Sequence, residues 1–428
     1  MGDAPLETAM RRIAAFLLAL AAVVPPATPA RAEGDAPVVG APAKAAAAGV
    51  NAFTADLLRT TAATGGNAFL SPYSIATAVA MARAGATGAT AAEIDAALHL
   101  PADAPAAFRE LVAALASVPM VNTWTDGARE QAPAYALSVA NGLFAHRGWA
   151  FLPAFGATLR DAYAAEFREV DFLDGAGTRK VINDWVAAKT KDRIRDIVPA
   201  DLPTPDTRMA LVNAIHFKAQ WAEPFSEKAT LDKPFTVAPG KDVQAPFMVR
   251  SGDFLYAAAA DAQVVELPYE GGATSMIVIL PRTKDGLDAL VAGLTPATLD
   301  ARLASLAHQR VALELPKFTF TTSLEATSAL RALGVRAAFA ADTADFTGIT
   351  AENPLFIGVV LHKAFVAVDE AGTEAAAATV VMMRTGSAMR PQPPTPFVAD
   401  HPFLFLIRHR ATGAILFAGR VADPTSKG

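Results

Sequence analysis

The chain of 428 residues has a hydrophobic fraction of 52% and a formal net charge of −5, from 37 basic and 42 acidic residues. Its sequence has no long run of like charge, which argues against binding to nucleic acid or to an anionic membrane surface. Cysteine is absent, so the hydrophobic core must stabilise the fold without disulfide bonds. The length would accommodate two or three domains of ordinary size, but no interior linker divides the chain.

The N-terminal segment has the pattern of a signal peptide. A short basic region at residues 10–12 precedes an apolar run from Ile13 to Val24, and a small-x-small pattern follows at residues 30–32. A helix that spans a bilayer needs ~20 apolar residues, so this run is too short to cross one. A buried helix is the alternative interpretation.

Three segments follow from this pattern. We predict a signal peptide over residues 10–32, a disordered leader over 33–43 and a single domain over 44–428. The protein is then secreted or periplasmic after the signal peptide is removed. Both Met1 and Met10 stay open as the true start.

Helical patterns dominate the first half of the chain. Ser71 followed by Pro72 has the chemistry of a helix N-cap and first helical position, directly after a short strand at Asn67–Leu70. Gly85 lies where that helix would end. Further helices are predicted at Ala91–Leu98 and at Thr178–Thr190, the second with an apolar stripe of Val181, Ile182, Trp185 and Val186.

Strand patterns dominate the second half. Short apolar segments bounded by Gly, Pro or charge are predicted as strands at Met209–Phe217, Val264–Leu267, Ser275–Leu280, Val311–Leu315 and His362–Val368. Phe403–Ile407 and Ala414–Ala418 flank a turn and predict a hairpin deep in the core, because both arms are apolar on both faces. Helices and strands around one core predict an α+β fold.

Enzyme motifs are absent from the sequence. The chain contains no G-x-S-x-G elbow, no H-E-x-x-H motif and no P-loop. Its seven histidines are scattered, and none forms a metal-ligand pair at helical spacing. We therefore nominate no catalytic residue, no metal site and no cofactor. A secreted hydrolase with a site assembled from distant residues is the least favoured alternative.

The segment after the strand at 365–368 is unusual because its side chains are small. Between Thr373 and Thr379 lie one glutamate and four alanines, and the region after them, Met382–Pro396, contains four prolines. Read alone, an alanine run on a surface loop predicts a short helix, since alanine is the best helix former. That interpretation leaves the absence of bulky residues unexplained.

This segment resembles the hinge of the reactive-centre loop in inhibitory serpins, through the motif E-x-G-T-E followed by alanines from Glu370 to Thr379. Six further motifs resemble the family in the order in which the family has them: NAFLSPYSIA (67–76), INDWVAAKTKDRIRDIV (182–198), LVNAIHFKAQWAEPF (211–225), LPKFTF (315–320), HKAFVAVDE (362–370) and ADHPFLFLIRH (399–409). The resemblance implies a serpin fold, with three β-sheets, eight or nine helices and an exposed reactive-centre loop.

The resemblance implies a serine protease inhibitor that acts as a suicide substrate. The target protease cuts the loop, the cut loop inserts as a new central strand of the main sheet, and the acyl-bound protease is carried across the molecule and distorted. Gly372 is expected to allow the bend at the start of the hinge. Strand alternation places hinge residues on two faces, with Glu374, Ala376 and Ala378 towards solvent and Thr373, Ala375, Ala377 and Thr379 towards the core.

The resemblance also assigns two polar clusters. The sheet-opening cluster lies beneath the centre of the main sheet and consists of Ser71, Ser74, Asn213 and His362. The hinge-side cluster lies where the loop enters the sheet and consists of Trp221 with the ion pair of Lys317 and Glu370. A surface ion pair contributes only ~0–1 kcal/mol, so the implied role of this pair is control over premature insertion. Read alone, Ser71 would be a plain N-cap and His362 a strand histidine with satisfied hydrogen bonds.

The position of the reactive bond can be derived by counting residues from either side. The usual family spacing from the hinge acid Glu370 places it at Gly386–Ser387, whereas counting back from Pro402 places it at Ala388–Met389. We prefer the first, because the length of inserted strand sets how far the protease is carried. The small residues here favour an elastase-like or subtilisin-like target. A trypsin-like enzyme would instead cut Arg384–Thr385.

We therefore expect a monomeric, secreted inhibitory serpin of bacterial type, which is not itself an enzyme. The alternative is a non-inhibitory serpin that serves as a binding or chaperone-like protein. Family members of that kind tend to carry proline or a bulky or charged residue in the hinge. The region Pro101–Ala132 has few basic residues, so no glycosaminoglycan site is expected.

Overall fold

Nine α-helices and seventeen β-strands lie in the part of the chain that the computed structural model describes, residues 39–61, 65–125, 128–351, 355–374 and 393–427. The helices are α1 Ala41–Thr61, α2 Pro72–Arg83, α3 Gly88–Ala97, α4 Ala104–Ala116, α5 Pro153–Tyr163, α6 Gly175–Lys189, α7 Leu287–Ala292, α8 Pro296–Ala304 and α9 Thr327–Ala332. The strands are β1 Ala68–Leu70, β2 Met120–Thr125, β3 Ala128–Pro133, β4 Tyr135–His146, β5 Glu166–Val170, β6 Met209–Gln220, β7 Leu231–Ala238, β8 Lys241–Ala258, β9 Ala262–Pro268, β10 Thr274–Pro281, β11 Ala307–Pro316, β12 Phe318–Glu325, β13 Val359–Val368, β14 Gly372–Thr373, β15 Thr395–Val398, β16 Phe403–His409 and β17 Ile415–Val421. The predicted α+β fold with three sheets is confirmed.

One sheet has six strands in the order β12–β13–β14–β6–β4–β5. β6 pairs with β4 in antiparallel register along most of its length. Its other edge pairs with β13 in parallel register, from Ala210 opposite Val359 to Ile215 opposite Ala364. β6 is buried on both faces, which explains the nearly continuous apolar run in its sequence.

Different helices cover the two faces of this sheet. α2 lies against β4 and β6 on one face, and almost all of its residues are buried. Alanines make up much of α2, and their small side chains let its backbone lie close to the strands. On the other face Ile182, Trp185 and Val186 of α6 form a core with Val212 and neighbouring strand residues. Both faces of the sheet centre are therefore covered.

One of the four residues predicted for the buried stripe of α6 is not buried. Ile182, Trp185 and Val186 are buried, but Val181 is 44% exposed. A helix with 3.6 residues per turn rotates by about 100° at each residue, so Val181 points away from the face that its three neighbours share. α6 also begins at Gly175, three residues earlier than predicted, because Oδ1 of Asp174 accepts a hydrogen bond of 2.9 Å from the backbone of Gly177.

A second sheet has nine strands and contains the predicted C-terminal hairpin. β16 and β17 pair in antiparallel register next to the edge strand β1 and are almost entirely buried, which confirms that prediction. The ring of Phe69 on β1 stacks on Phe405 and Phe417, at centroid distances of 5.6 and 5.0 Å. These contacts join the predicted strand at 67–70 to the hairpin. The third sheet is the separate hairpin β2–β3.

The predicted boundaries of the N-terminal segments fall partly outside the described residues. The predicted signal peptide, 10–32, and residues 33–38 of the predicted leader lie there. α1 begins at Ala41, so residues 41–43 are helical although we placed them in a disordered leader. α1 is covered by neighbouring elements from this point on, since Ala43, Ala46 and Ala47 are buried.

Candidate functional site

The hinge-side ion pair forms directly after β13. Nζ of Lys317 lies 2.7 Å from Oε2 of Glu370, and the hydroxyl of Thr230 donates a hydrogen bond of 2.7 Å to Oε1. Burial by itself raises the pKa of Glu370, but the hydrogen bonds from Lys317 and Thr230 outweigh it and hold the pKa below its ordinary value. The structure thus brings the two predicted partners together around an ionised carboxylate.

Trp221 fixes the turn that leads into the hinge. Its indole N–H donates a hydrogen bond of 2.9 Å to the carbonyl oxygen of Asp369, and its backbone N–H donates one of 2.9 Å to Ala371. The indole stacks on the ring of Tyr269, with centroids 4.6 Å apart and planes 7° from parallel. The third predicted member of the hinge-side cluster therefore contacts the hinge backbone directly.

Gly372 lies against the backbone of β6, where it pairs with Gln220. A Cβ at this position would collide with the carbonyl oxygen of Ala219. We predicted a glycine that allows a bend. The requirement that the structure shows is the close approach of two backbones.

The hinge begins as a strand inside the six-stranded sheet. β14 pairs with β6 on one side, through Gly372 and Thr373, and with β13 on the other, through Thr373 and Val368. Thr373 is 1% exposed, and its hydroxyl shares a hydrogen bond of 2.7 Å with that of Tyr269. Beyond this point β6 and β13 pair directly with each other. The sheet is therefore parted by two residues at one end and closed along the rest of the interface.

Glu374 does not face solvent as we predicted. Its side chain is 10% exposed, with Oε1 lying 2.8 Å from Nε of Arg193 and Oε2 in contact with Nε2 of His216. Alternation does place it on the face opposite Thr373. That face is covered, however, by α6 and by the segment after α6 that contains Arg193. Burial raises the pKa of Glu374, and the charges of Arg193 and Lys218 offset part of that shift.

The sheet-opening cluster joins β6, β13 and the start of α2. The backbone N–H of Ser71 donates a hydrogen bond of 3.0 Å to Nε2 of His362. The proton of this imidazole therefore resides on Nδ1, which donates to Oδ1 of Asn213 at 3.2 Å. Asn213 and His362 are directly opposite in the parallel register of β6 and β13. This hydrogen bond must break if the two strands are to part.

The two serines have different positions in this cluster. The hydroxyl of Ser71 accepts a hydrogen bond of 3.1 Å from the backbone of Ser74 and donates one of 2.5 Å to the carbonyl of Leu416, so it caps α2 and also ties it to β17. The hydroxyl of Ser74 is buried and has no hydrogen-bond partner among the described residues. Asn141 on β4 is a further member that sequence reasoning missed, and its Oδ1 accepts a hydrogen bond from Nδ2 of Asn213.

The cluster predicts a pH-dependent stability. Burial lowers the pKa of His362 from 6.5 to about 3, so the imidazole stays neutral in the folded protein. The unfolded chain binds a proton here below its ordinary pKa of ~6.5. The unfolded state then binds more protons, and the free energy of unfolding falls by up to ~1.4 kcal/mol for each pH unit between ~6.5 and 3. Burial also lowers the pKa of His216 and of His409 to about 4, which adds to the effect.

We expect His362→Gln to be less sensitive to acid than the wild type. Chemical unfolding midpoints at pH 7.5 and 5.5 measure this, and the difference between them should be smaller in the variant. His308→Gln is the matched control, because His308 is exposed on β11 and its substitution should leave the difference unchanged. An unchanged difference in His362→Gln would contradict the assignment of a neutral buried imidazole.

Several predicted residues lie outside the described residues. These are the hinge alanines Ala375, Ala376, Ala377 and Ala378 with Thr379, and the candidate reactive-bond residues Arg384, Thr385, Gly386, Ser387, Ala388 and Met389. In the described part of the chain, no group of three or more His, Asp or Glu side chains is placed to hold a metal ion. No described helix has the length and hydropathy needed to cross a membrane.

Comparison with known proteins agrees with this architecture. A family model described as serpin (serine protease inhibitor) matches residues 48–424. The chain is 39% identical over 380 residues to an uncharacterized serpin-like protein of Thermococcus kodakarensis, with 88% of this chain and 85% of that protein covered. It is 38% identical over 369 residues to a leukocyte elastase inhibitor of Bos taurus, with 84% and 93% covered.

Solved structures share the fold over nearly their whole length. A highly specific serpin of the insect Tenebrio molitor superposes with a TM-score of 0.75 at 30% identity, covering 88% of this chain and 97% of that one. Human thyroxine-binding globulin, solved in complex with thyroxine, superposes with a TM-score of 0.78 at 28% identity, covering 90% of this chain and 100% of that one. The sequence motifs, the sheet that the hinge enters and these relatives agree: the chain belongs to the serpin family.

Proposed function

We propose that the protein inhibits serine proteases as a suicide substrate and traps the acyl-enzyme by inserting its cut loop between β6 and β13. The observation that supports this most is β14. The first two residues of the hinge already lie between these strands, hydrogen-bonded to both. The proposed strand therefore extends a pairing that exists, in a register that is already set.

The register determines what each hinge residue would contact. Thr373 is opposite Ala219 in the antiparallel pairing with β6, so continued pairing sets Ala375 opposite Phe217, Ala377 opposite Ile215 and Thr379 opposite Asn213. Phe217 and Ile215 belong to the core that α2 helps to form. Small side chains here can enter that core without displacing its packed residues.

The other face explains the remaining alanines. Ala376 and Ala378 would be opposite His216 and Ala214, on the side that α6 covers. A bulky side chain at either position would have to pass beneath α6 during insertion. The sequence has small residues on both faces from Ala375 to Thr379, as a strand that slides between two covered faces requires.

The residues around the reactive bond favour one class of target protease. Gly386–Ser387 and its neighbours are small, which suits an elastase-like or subtilisin-like protease, while Arg384 would suit a trypsin-like one. The relative from Bos taurus is named as an inhibitor of leukocyte elastase, which supports the first class. We further propose a monomer of bacterial type that acts outside the cytoplasm, on the strength of the export pattern at residues 10–32.

A panel of elastase, subtilisin and trypsin tests this function. We expect one or more of these enzymes to form a complex that survives denaturing electrophoresis, and the C-terminal peptide released from it to begin at Ser387. A peptide beginning at Thr385, with full trapping of trypsin, would show that the bond and the protease class are assigned wrongly. Cleavage by all three enzymes without a complex would contradict inhibition and favour a non-inhibitory binding or chaperone-like serpin.

A further inference from the structure

Glu374, the residue directly after β14, has a backbone conformation that costs energy. Glu374 has a φ of 51°, in the left-handed region that non-glycine residues rarely adopt. A left-handed residue other than glycine is strained and persists only where its surroundings hold it. The backbone N–H of Glu374 still donates a hydrogen bond of 2.8 Å to Ala367 on β13. Glu374 therefore combines a backbone hydrogen bond to the sheet with a conformation that a continued strand does not have.

The side chain of Glu374 occupies the point where β6 and β13 come together. The last directly paired residues of these strands are Ile215 and Ala364. The carboxylate contacts His216, the next residue of β6, and is paired on its outer side with Arg193 from the segment after α6. It thus lies at the fork between the parted and the closed parts of the sheet.

The left-handed conformation of Glu374 is incompatible with further insertion. In a continued strand Glu374 itself would be opposite Lys218, and Ala376 would be the residue opposite His216. Glu374 must therefore change from the left-handed to the extended conformation before Ala375 can pair, and that change redirects its carboxylate. The contacts with His216 and Arg193 described here are made from the left-handed conformation.

We propose that Glu374, held by His216 and Arg193, is a stop that arrests insertion after Thr373 while the loop is intact. This inference rests on the proposed insertion mechanism and adds the residues that keep the uncut protein from completing it. The stop stabilises the partly inserted form and is absent from the transition state for further insertion. Its removal therefore accelerates insertion of the uncut loop.

Conversion of the intact protein to the fully inserted form measures the stop. We expect Glu374→Ala to convert about tenfold faster than the wild type during incubation below the melting temperature, because the substitution removes hydrogen bonds of a charged group that stabilise only the partly inserted form. The readout is the fraction of full-length chain that resists unfolding, with the mass of the chain confirming that the loop is uncut. This readout needs no protease.

Paired substitutions separate the stop from a general loss of stability. His216→Phe removes the contact at similar volume, and Arg193→Ala removes the ion pair at an exposed position. Each should accelerate conversion alone but add little to Glu374→Ala, because all three remove one interaction. Arg195→Ala is the matched control, since Arg195 lies in the same segment and pairs with Asp192 instead. It should convert at the wild-type rate.

Two results would overturn the stop. The first is that Glu374→Ala converts at the wild-type rate. The second is that the effects of Glu374→Ala and Arg193→Ala on the conversion rate are fully additive in the double variant. This double variant tests the same contact if His216→Phe fails to fold. If no protease of the panel forms a complex but Glu374→Ala converts faster than the wild type, the proposed inhibition is contradicted and the stop is supported. Normal trapping with unchanged conversion would contradict the stop alone.

Discussion

Cutting the loop between Val380 and Pro391 is expected to raise the melting temperature by about 10 °C or more. Insertion would replace the parallel pairing of β6 with β13 by two antiparallel pairings of a new strand, and would bury its alanines on both faces. If the strand gains about ten hydrogen bonds at ~1 kcal/mol each, the sum corresponds to a rise of this size in a domain of nearly 400 residues.

Thermal melting before and after limited proteolysis measures this effect. An ordinary exposed loop, when nicked, leaves the stability unchanged or lowers it. Proteolysis of a variant that cannot insert is the matched control, and its melting temperature should not rise. An unchanged or lower melting temperature in the cut wild-type protein would contradict trapping by insertion.

Thr373→Arg is expected to turn the inhibitor into a substrate. Thr373 is 1% exposed between β6 and β13, with its hydroxyl on Tyr269, so an arginine would bring an unpaired charge into a filled site. An unpaired buried charge costs several kcal/mol, so the arginine should hold residues 372–373 out of the sheet in the uncut protein. Insertion after cleavage would then have to bury that charge, and ~1.4 kcal/mol is already a factor of ten in the rate of insertion. Hydrolysis of the acyl-enzyme should then outpace insertion.

The yield of complex and the amount of cut loop give the result. We expect the yield of denaturation-resistant complex to fall at least about tenfold while cleavage continues. Thr373→Ser retains the hydroxyl and should trap normally, and Thr283→Arg places the same charge at an exposed position and should have no effect. A wild-type yield of complex in Thr373→Arg would show that the hinge is assigned wrongly.

Alternation in the sequence predicted the two faces of the hinge but not what covers them. Thr373 and Glu374 do point in opposite directions, as period-two alternation requires. The second face was predicted as solvent-exposed, because nothing in the local sequence around Glu374 indicates that α6 and Arg193 lie over it. That information resides in contacts between segments nearly two hundred residues apart, which a single sequence does not reveal.

The same limit explains the elements that sequence reasoning missed. β8 extends over Lys241–Ala258 although Pro246 and Gly252 interrupt its pattern, because pairing with β11 on one side and with β7 and β9 on the other holds it extended. β4 lies in the half of the chain where helical patterns dominate, and its pairing with β6 decides its conformation. The buried residues with strong local signals, such as Ser71 before Pro72, were predicted correctly.

The sheet-opening cluster was predicted through the family resemblance and not through spacing. Ser71, Asn213 and His362 are separated by more than a hundred residues from one another, and their hydrogen bonds depend on the parallel pairing of β6 with β13. Asn141 joins them only because β4 is the other neighbour of β6. Its own sequence context carries no polar motif that distinguishes it.

The cut protein from the melting experiment also gives the most direct test of insertion, through its crystal structure. We expect a new strand between β6 and β13 that continues β14, with Thr379 opposite Asn213. The hydrogen bond between His362 and Asn213 should then be broken. A cut protein in which β6 and β13 keep their parallel register, from Val359 opposite Ala210 to Ala364 opposite Ile215, would contradict the account.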